Sequence, residues 1–128
     1  MGRYYNGDIE GKFMFAVQPS DAGERFGAYE MPQEPEFIDY AVCRESSYDD
    51  ISKELESIVN SGAVKRVKHM WQELEKIGRD SYNDKDMEKY GVSNEDMREY
   101  ADWLMGTRMI EFFDENPDRK HLYFNAEL

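Results

Sequence analysis

The stretch that decides the fold is His121-Leu122-Tyr123-Phe124-Asn125-Ala126, in which apolar and polar side chains alternate. Alternation with a period of two predicts a strand that is buried on one face. The residues before this stretch show helical periodicity, and the other alternating segments lie near the opposite end of the chain. A strand without a neighbour leaves backbone groups unpaired, so we expect residues 121–126 to return and pair with an N-terminal strand.

Two N-terminal segments show the same alternation. Residues 12–18 and residues 36–43 are each predicted to form a strand. Asn6-Gly7 precedes the first of them and predicts a tight turn, because both residue types tolerate positive φ. The positions predicted to face the core are Phe13, Phe15 and Val17 in the first strand and Ile38, Tyr40 and Val42 in the second.

Helical periodicity begins after Arg44, where Ser47 and Asp50 resemble a capping box. Two apolar stripes follow: the first comprises Ile51, Leu55, Ile58 and Val59, and the second Val64, Val67, Met70, Trp71, Leu74 and Ile77. At about 100° per residue the stripes are roughly 160° out of phase, so one straight helix cannot bury both against the same surface. We therefore predict a break at Ser61-Gly62 between helices of about 10 and 15 residues.

A third helix is predicted to begin at Ser93, which forms a second capping pattern with Asp96, and to end before Asn116-Pro117. Strands, then helices, then one strand is the order typical of an α+β fold. We predict one domain over residues 1–128: a small, mainly antiparallel sheet of N-terminal strands plus the C-terminal strand, with three or four helices packed on it. The predicted core comprises Phe13, Phe15, Val17, Leu55, Val67, Trp71, Leu74, Leu104 and Phe124.

Composition limits the class of protein. The chain has 16 Lys and Arg against 28 Asp and Glu, a net charge of −12, so a surface that grips nucleic acid directly is not expected. Four N-terminal aromatic residues could stack on nucleic-acid bases, but their acidic surroundings favour roles in the core or at a protein interface. These residues are Tyr4, Tyr5, Phe13 and Phe15. Aromatic residues make up 14 %, too many for a disordered acidic tail. Residues 51–79 carry a small basic excess between two acidic flanks, which predicts either ion pairs between the middle segment and its flanks or two acidic surfaces that face a basic partner.

The cysteine count and hydropathy predict the environment. A single Cys excludes an internal disulfide framework and every multi-Cys metal site. No apolar run approaches 18 residues and no charged-then-apolar leader is evident, so we expect no membrane contact and a location in the cytoplasm.

No constellation of residues predicts catalysis or metal binding. Cys43 is expected to be inert and mostly buried, with nothing in the sequence to bring His69 or His121 near it. Asp84, Asp86, Glu88 and Glu95 match four positions of a calcium-binding loop, but Lys89 stands where the sharp turn needs Gly. We therefore predict no catalytic residue, no metal and no cofactor.

Two sets of carboxylates are candidates for partner binding. Glu95, Glu99 and Asp102 are predicted to lie in a row on the polar side of the third helix, spaced ~5–6 Å along its axis, close to the phosphate repeat of a nucleic acid. The row is either a solvated outer face or a surface that mimics nucleic acid in a groove of another protein. Asp8 and Glu10 form the second set.

The second set also supports a hypothesis of a different class. A pocket lined by Asp8, Glu10 and Lys12 would indicate a small enzyme or a ligand-binding domain at this turn. A flat acidic helix face without a pocket would instead favour a protein that acts by binding a partner with a basic surface.

The two ends of the chain carry a specific resemblance. Its first residues are Gly2-Arg3-Tyr4-Tyr5-Asn6-Gly7-Asp8-Ile9-Glu10-Gly11-Lys12-Phe13, and its last are Phe124-Asn125-Ala126-Glu127-Leu128. Both resemble small, mostly uncharacterised proteins of phages and prophages. Such proteins include inhibitors of host defence systems, anti-CRISPR proteins among them. The resemblance implies a non-enzymatic inhibitor in the host cytoplasm whose partner is a host nuclease or another defence effector.

Overall fold

The computed structural model describes residues 3–14, 17–31 and 37–128, which form five strands, four α-helices and one 3₁₀ helix. The strands are β1 (Tyr4–Gly7), β2 (Gly11–Lys12), β3 (Tyr29–Glu30), β4 (Phe37–Cys43) and β5 (His121–Glu127). The α-helices are α1 (Arg44–Asn60), α2 (Ala63–Lys76), α3 (Asp84–Tyr90) and α4 (Asn94–Glu115), and the 3₁₀ helix is Ala22–Phe26. This is the predicted α+β class.

The predicted return of the last strand is confirmed. The sheet has the order β2-β1-β5-β4-β3 with antiparallel neighbours, so β5 is its central strand. β5 pairs with β4 along its whole length, from Cys43 opposite His121 to Phe37 opposite Glu127. The C-terminal strand therefore joins the two N-terminal parts of the sheet, which do not pair with each other directly.

Alternation along β5 separates the two faces of the sheet. Leu122, Phe124 and Ala126 are buried beneath the helices, while Tyr123 between them is exposed. The ring of Phe124 stacks on that of Tyr40, with centroids 5.4 Å apart. The helices pack against this inner face.

The predicted helix break lies where the two stripes change phase. α1 ends at Asn60, α2 begins at Ala63, and Gly62 between them has φ of +86°. The expected length of α1 is wrong, because this helix begins directly after β4 and has 17 residues. Its start is held by the Arg44 guanidinium, which donates hydrogen bonds to the carbonyls of Phe113, Asn116 and Arg119. Ser47 is therefore a buried residue inside α1 and not its cap.

The N-terminal predictions need two corrections. β2 ends at Lys12, and the Gln18 N–H donates to the Met14 carbonyl, so no strand continues through the described part of residues 12–18. Asn6-Gly7 is also not the turn, because both residues belong to β1 and the turn lies at residues 8–10. Gly7 has φ of +143°, and a Cβ there would lie 2.5 Å from the Tyr123 carbonyl oxygen. Glycine is thus needed at this position because β1 and β5 approach closely there. The Asn6-Gly7 motif had instead indicated a turn.

The described residues of the predicted core all lie at least partly inside. Phe13, Val67, Leu74 and Phe124 are buried, whereas Val17, Leu55, Trp71 and Leu104 are half-buried and Phe15 lies outside the described residues. A second, smaller cluster forms where α2, α3 and α4 meet, and α3 is a helix that the sequence pattern did not indicate.

The capping box predicted at the start of α4 is present. The Ser93 hydroxyl accepts from the Asp96 N–H, and the Asp96 carboxylate accepts from the Ser93 N–H. Arg66 of α2 binds the same carboxylate at 2.8 and 2.9 Å, which is one of the predicted ion pairs between the middle segment and its flanks. Hydrogen bonds from Arg66, then from Ser93, lower the pKa of Asp96.

Acidification is expected to remove the stabilisation that Asp96 provides. Because its pKa in the folded state lies below the unfolded value of about 3.9, this stabilisation is complete above that pH and is lost as the pH falls through the folded pKa. The difference in unfolding free energy between the wild-type chain and the Asp96→Asn variant should therefore shrink between neutral pH and about pH 3. Urea unfolding at each pH measures it, and a difference that stays constant would contradict the assignment.

Candidate functional site

The acidic row predicted on α4 does not form a free surface. Glu95 is exposed, but Glu99 is half-buried and the Asp102 side chain is 0 % exposed. Arg25, near the end of the 3₁₀ helix, forms ion pairs with two of the three carboxylates, Glu99 and Asp102. The expectation of three evenly spaced, solvated charges is therefore wrong.

Arg25 is the centre of a network that joins three elements. Its guanidinium donates hydrogen bonds to Asp102 at 3.0 Å, to both oxygens of Glu99 at 2.9 Å and to Glu54 of α1 at 2.9 Å. Although burial disfavours its charge, these bonds raise the pKa of Arg25. The other Asp102 oxygen accepts from the buried Gln18 amide at 2.9 Å. The network holds the 3₁₀ helix against α1 and α4, so its role is structural.

Burial dominates the electrostatics of Asp102. It raises the pKa of this carboxyl above its ordinary value, and the hydrogen bonds from Arg25 and Gln18 oppose it only in part. Replacing Glu95, Glu99 and Asp102 together by Lys would place a cation in this buried site. That variant would unfold the protein rather than report on binding, because an unpaired buried charge is strongly destabilising.

The N-terminal turn places its two candidate carboxylates differently. The Asp8 carboxylate accepts hydrogen bonds from the Tyr123 N–H and from Arg119, both at 2.8 Å, so it closes the turn onto β5. Glu10, two residues later, is exposed and forms no ion pair with the described residues. Of these two carboxylates, Glu10 is the one without an ion pair in the part of the chain that the structure describes.

Glu10 faces a cleft whose other wall is the C-terminal half of α4. The cleft has a volume of about 220 Å³ and is lined by Asp8, Ile9, Glu10, Arg108, Glu111, Phe112 and Glu115. Glu111 and Glu115 are exposed and, like Glu10, form no ion pair within the described part of the chain. We call this feature, defined by Glu10, Glu111 and Glu115, the acidic cleft. Helical periodicity could have placed Glu111 and Glu115 on one face, but nothing in the sequence indicates that Glu10 lies opposite them.

Lys12 belongs to a different cleft. Together with Tyr5, Phe13, Met14, Tyr82, Ala101, Leu104 and Arg108 it lines a space of about 250 Å³. Arg108 lines both clefts and donates a hydrogen bond to the Tyr5 hydroxyl. Burial is the main cause that raises the pKa of Tyr5, which favours the neutral phenol as acceptor for Arg108. Asp8, Glu10 and Lys12 therefore do not share either of these two clefts.

Strand register brings one histidine beside Cys43, which the sequence did not indicate. Cys43 has intermediate burial, consistent with the expected mostly buried thiol, and the register of β4 and β5 places it opposite His121. The backbone N–H and hydroxyl of Ser46, at the start of α1, lower the pKa of the Cys43 thiol. His121 nevertheless stacks on Tyr123, and no hydrogen bond joins it to Cys43, while exposed His69 contacts Glu73. The pair lacks the contact that nucleophile activation needs.

The positions counted toward a calcium-binding loop lie mostly on α3. Asp86 there completes the capping box with Asn83 and accepts two hydrogen bonds from Arg79, at 2.7 and 2.8 Å. Its oxygens are thus already occupied. Within residues 3–14, 17–31 and 37–128, no three His, Cys, Asp or Glu side chains are placed to hold a metal ion.

The helices of the described chain are either too short or too polar to cross a membrane. Comparison with protein-family models, with curated proteins and with solved structures finds no significant match.

Proposed function

We propose that this protein is a non-catalytic binding protein that docks on the basic surface of a protein partner through the acidic cleft. One observation carries the proposal: Glu10 and the α4 residues Glu111 and Glu115 lie around one cleft and form no ion pair with the described residues, while the single Arg108 that lines the same cleft is bonded to Tyr5. Like charges placed together repel one another and weaken folding slightly. A cationic partner would be attracted to all three glutamates and would offset their mutual repulsion.

The net charge supports the same proposal through association kinetics. A charge of −12 on a chain of 15.1 kDa attracts basic surfaces over a distance of about one Debye length, ~10 Å at 0.1 M salt. Such attraction accelerates encounter more than it strengthens the final complex. Phe112, half-buried between the two α4 glutamates in the cleft, adds an apolar contact that a partner side chain could cover.

The N-terminal resemblance supports a biological context. Small acidic proteins of phages and prophages include inhibitors that bind a host defence effector, and we propose an anti-CRISPR-like inhibition of a host nuclease or similar effector. The proposed mode is occlusion of a basic surface. The row of Glu95, Glu99 and Asp102 on α4 does not support mimicry of a nucleic-acid strand, because Asp102 is buried and Glu99 is paired with Arg25.

Reversing the charge of the acidic cleft tests the proposal. Wild-type protein first captures its partner from a lysate of the native host, and mass spectrometry identifies it. The Glu10→Lys, Glu111→Lys, Glu115→Lys variant should then associate about 10-fold or more slowly at low salt, because electrostatic attraction at the docking face is reversed. Stopped-flow or biosensor rates at 0.05 and 0.5 M salt measure this, and the difference should narrow as salt screens the charges.

A matched variant separates a local effect from a change in net charge. Glu56→Lys, Glu75→Lys and Glu88→Lys replace exposed glutamates on α1, α2 and α3 that form no ion pair with the described residues. This variant has the same net charge as the first but an intact acidic cleft, so its association should slow far less. Equal slowing by both variants would mean that the cleft is not the docking face.

The alternative function, a small enzyme or ligand-binding domain at the Asp8-Glu10-Lys12 turn, has weaker geometric support. Its residues face two clefts rather than one, and Asp8 is occupied by Arg119 and the backbone of β5. A small molecule that raises the melting temperature of the wild-type chain but not of the Lys12→Ala variant would favour this alternative.

A further inference from the structure

The face of the sheet turned away from the helices carries exposed aromatic side chains. Tyr4, Tyr29 and Tyr123, on β1, β3 and β5, are 45 %, 48 % and 44 % exposed. Their hydroxyls form no hydrogen bond with the described residues. Tyrosine is enriched where proteins bind each other, because its rigid ring buries a large area at little entropic cost.

Strand register brings two of these tyrosines into one row. Tyr29 of β3 lies opposite Ala41 of β4, and Ala41 lies opposite Tyr123 of β5. Ala41 is only 1 % exposed, so neighbouring side chains cover it. His121 extends the row along β5, since its ring stacks on that of Tyr123 with centroids 6.0 Å apart and planes at 20°. We call Tyr29, Ala41, Tyr123 and His121 the aromatic row.

A polar row runs beside the aromatic row on the same face. Asn125 of β5 lies opposite Asp39 of β4 on one side and opposite Asn6 of β1 on the other. Asn125 is two residues from Tyr123, so the two rows are separated by about 7 Å. The Asp39 carboxylate forms no ion pair with the described residues. The Asp39 carboxylate, a negatively charged hydrogen-bond acceptor, therefore lies within side-chain reach of two aromatic rings.

This combination fits one side chain better than any other. A guanidinium is a planar cation that stacks on aromatic rings and donates hydrogen bonds in a fixed fork to a carboxylate. Lysine can make the charge contact but lacks the planar group. A second copy of this chain would bring another charge of −12 to the surface, and nucleic acid would bring phosphates, so both are repelled.

From this arrangement we infer that the outer sheet face recognises arginine side chains of the basic protein partner, with guanidinium groups stacked on the aromatic row and bonded to Asp39. This inference rests on the proposed function, which supplies the class of partner, a basic protein. It adds a second contact surface, the outer sheet face, and a specificity for arginine. The acidic cleft attracts any basic surface, whereas the aromatic row distinguishes arginine from lysine.

Peptides of nine arginines and of nine lysines are the probes. Both peptides carry the same charge. A difference in their affinity therefore reports on the stacking of guanidinium groups and on their forked hydrogen bonds. Fluorescence anisotropy at matched ionic strength should show about five-fold tighter binding of the arginine peptide. Amide chemical shifts of the wild-type chain should move at Tyr29, Ala41 and Tyr123 with the arginine peptide, and much less with the lysine peptide.

Two double variants test whether the aromatic rings are needed, one replacing the ring by an apolar side chain and the other keeping the ring without its hydroxyl. Tyr29→Leu with Tyr123→Leu should abolish the preference for arginine, while Tyr29→Phe with Tyr123→Phe should keep it, because phenylalanine retains the aromatic face. Both positions are about half exposed, so the variants should remain folded, which circular dichroism checks. A preference that survives in the leucine variant would overturn the inference.

The outcomes distinguish this inference from the proposed function. Equal binding of both peptides, with shifts confined to the acidic cleft, would overturn the arginine-specific role of the sheet and leave the acidic docking face in place. Absence of binding by either peptide at 0.05 M salt would count against both proposals.

Discussion

Replacing Asp102 by alanine is expected to lower the free energy of unfolding by about 3 kcal/mol, one of the largest effects of any single carboxylate in this chain. Asp102 is fully buried, and its two oxygens satisfy Arg25 and the Gln18 amide, which is itself 2 % exposed. Its removal leaves a buried amide without an acceptor and a partly buried guanidinium with one bond fewer. Urea denaturation at neutral pH measures the change.

Two further variants define the cause. Asp102→Asn keeps an acceptor for Gln18 and should cost less, about 1–2 kcal/mol. Glu95→Ala, two turns earlier on the same helix at an exposed position, should change stability by less than about 0.5 kcal/mol. If Asp102→Ala were as mild as Glu95→Ala, the Arg25 network would not hold the 3₁₀ helix in place.

Replacing Gly7 by alanine is expected to destabilise the protein by a similar amount, about 3 kcal/mol. The φ of +143° is strained for any residue with a Cβ, and that Cβ would lie 2.5 Å from the Tyr123 carbonyl oxygen and 2.7 Å from the Phe124 Cα. Both neighbours are backbone atoms of the central strand, so they cannot rotate away. Thermal or urea unfolding of the variant measures the cost.

Gly91→Ala is the matched control for backbone conformation. Gly91 also has positive φ, +68°, but a Cβ there would meet nothing within 4 Å. Its replacement should cost only the conformational penalty of about 1 kcal/mol. Equal costs at Gly7 and Gly91 would show that β1 can move away from β5, against the close approach described above.

These stability variants do not test binding. A loss of binding in Asp102→Ala would follow from its lower stability and would say nothing of a docking face. Charge variants at the acidic cleft and ring variants on the aromatic row lie at exposed positions, where substitutions usually change stability little. Measurements of partner binding should therefore use these positions.

Local patterns in the sequence determined the class of fold. Alternation over residues 121–126 identified β5, the phase change at Ser61-Gly62 identified the end of α1 and the start of α2, and Ser93 with Asp96 identified the start of α4. Each signal depends on residues a few positions apart, because periodicity and capping follow from the geometry of one helix or strand. The order of these elements was then enough to predict an α+β sheet closed by its last strand.

Tertiary structure alone decided which charges are free. The helical spacing of the α4 row predicted exposed charges, yet Arg25, more than 70 positions away, forms ion pairs with Glu99 and Asp102. The acidic cleft joins Glu10 to Glu111 and Glu115, and strand register joins Tyr29 to Tyr123 across Ala41. Contacts of this kind depend on how elements pack and pair, which the local periodicity of one segment does not encode. The sequence alone therefore determined the elements and their order, while packing determined which of their polar and aromatic side chains remain available to a partner.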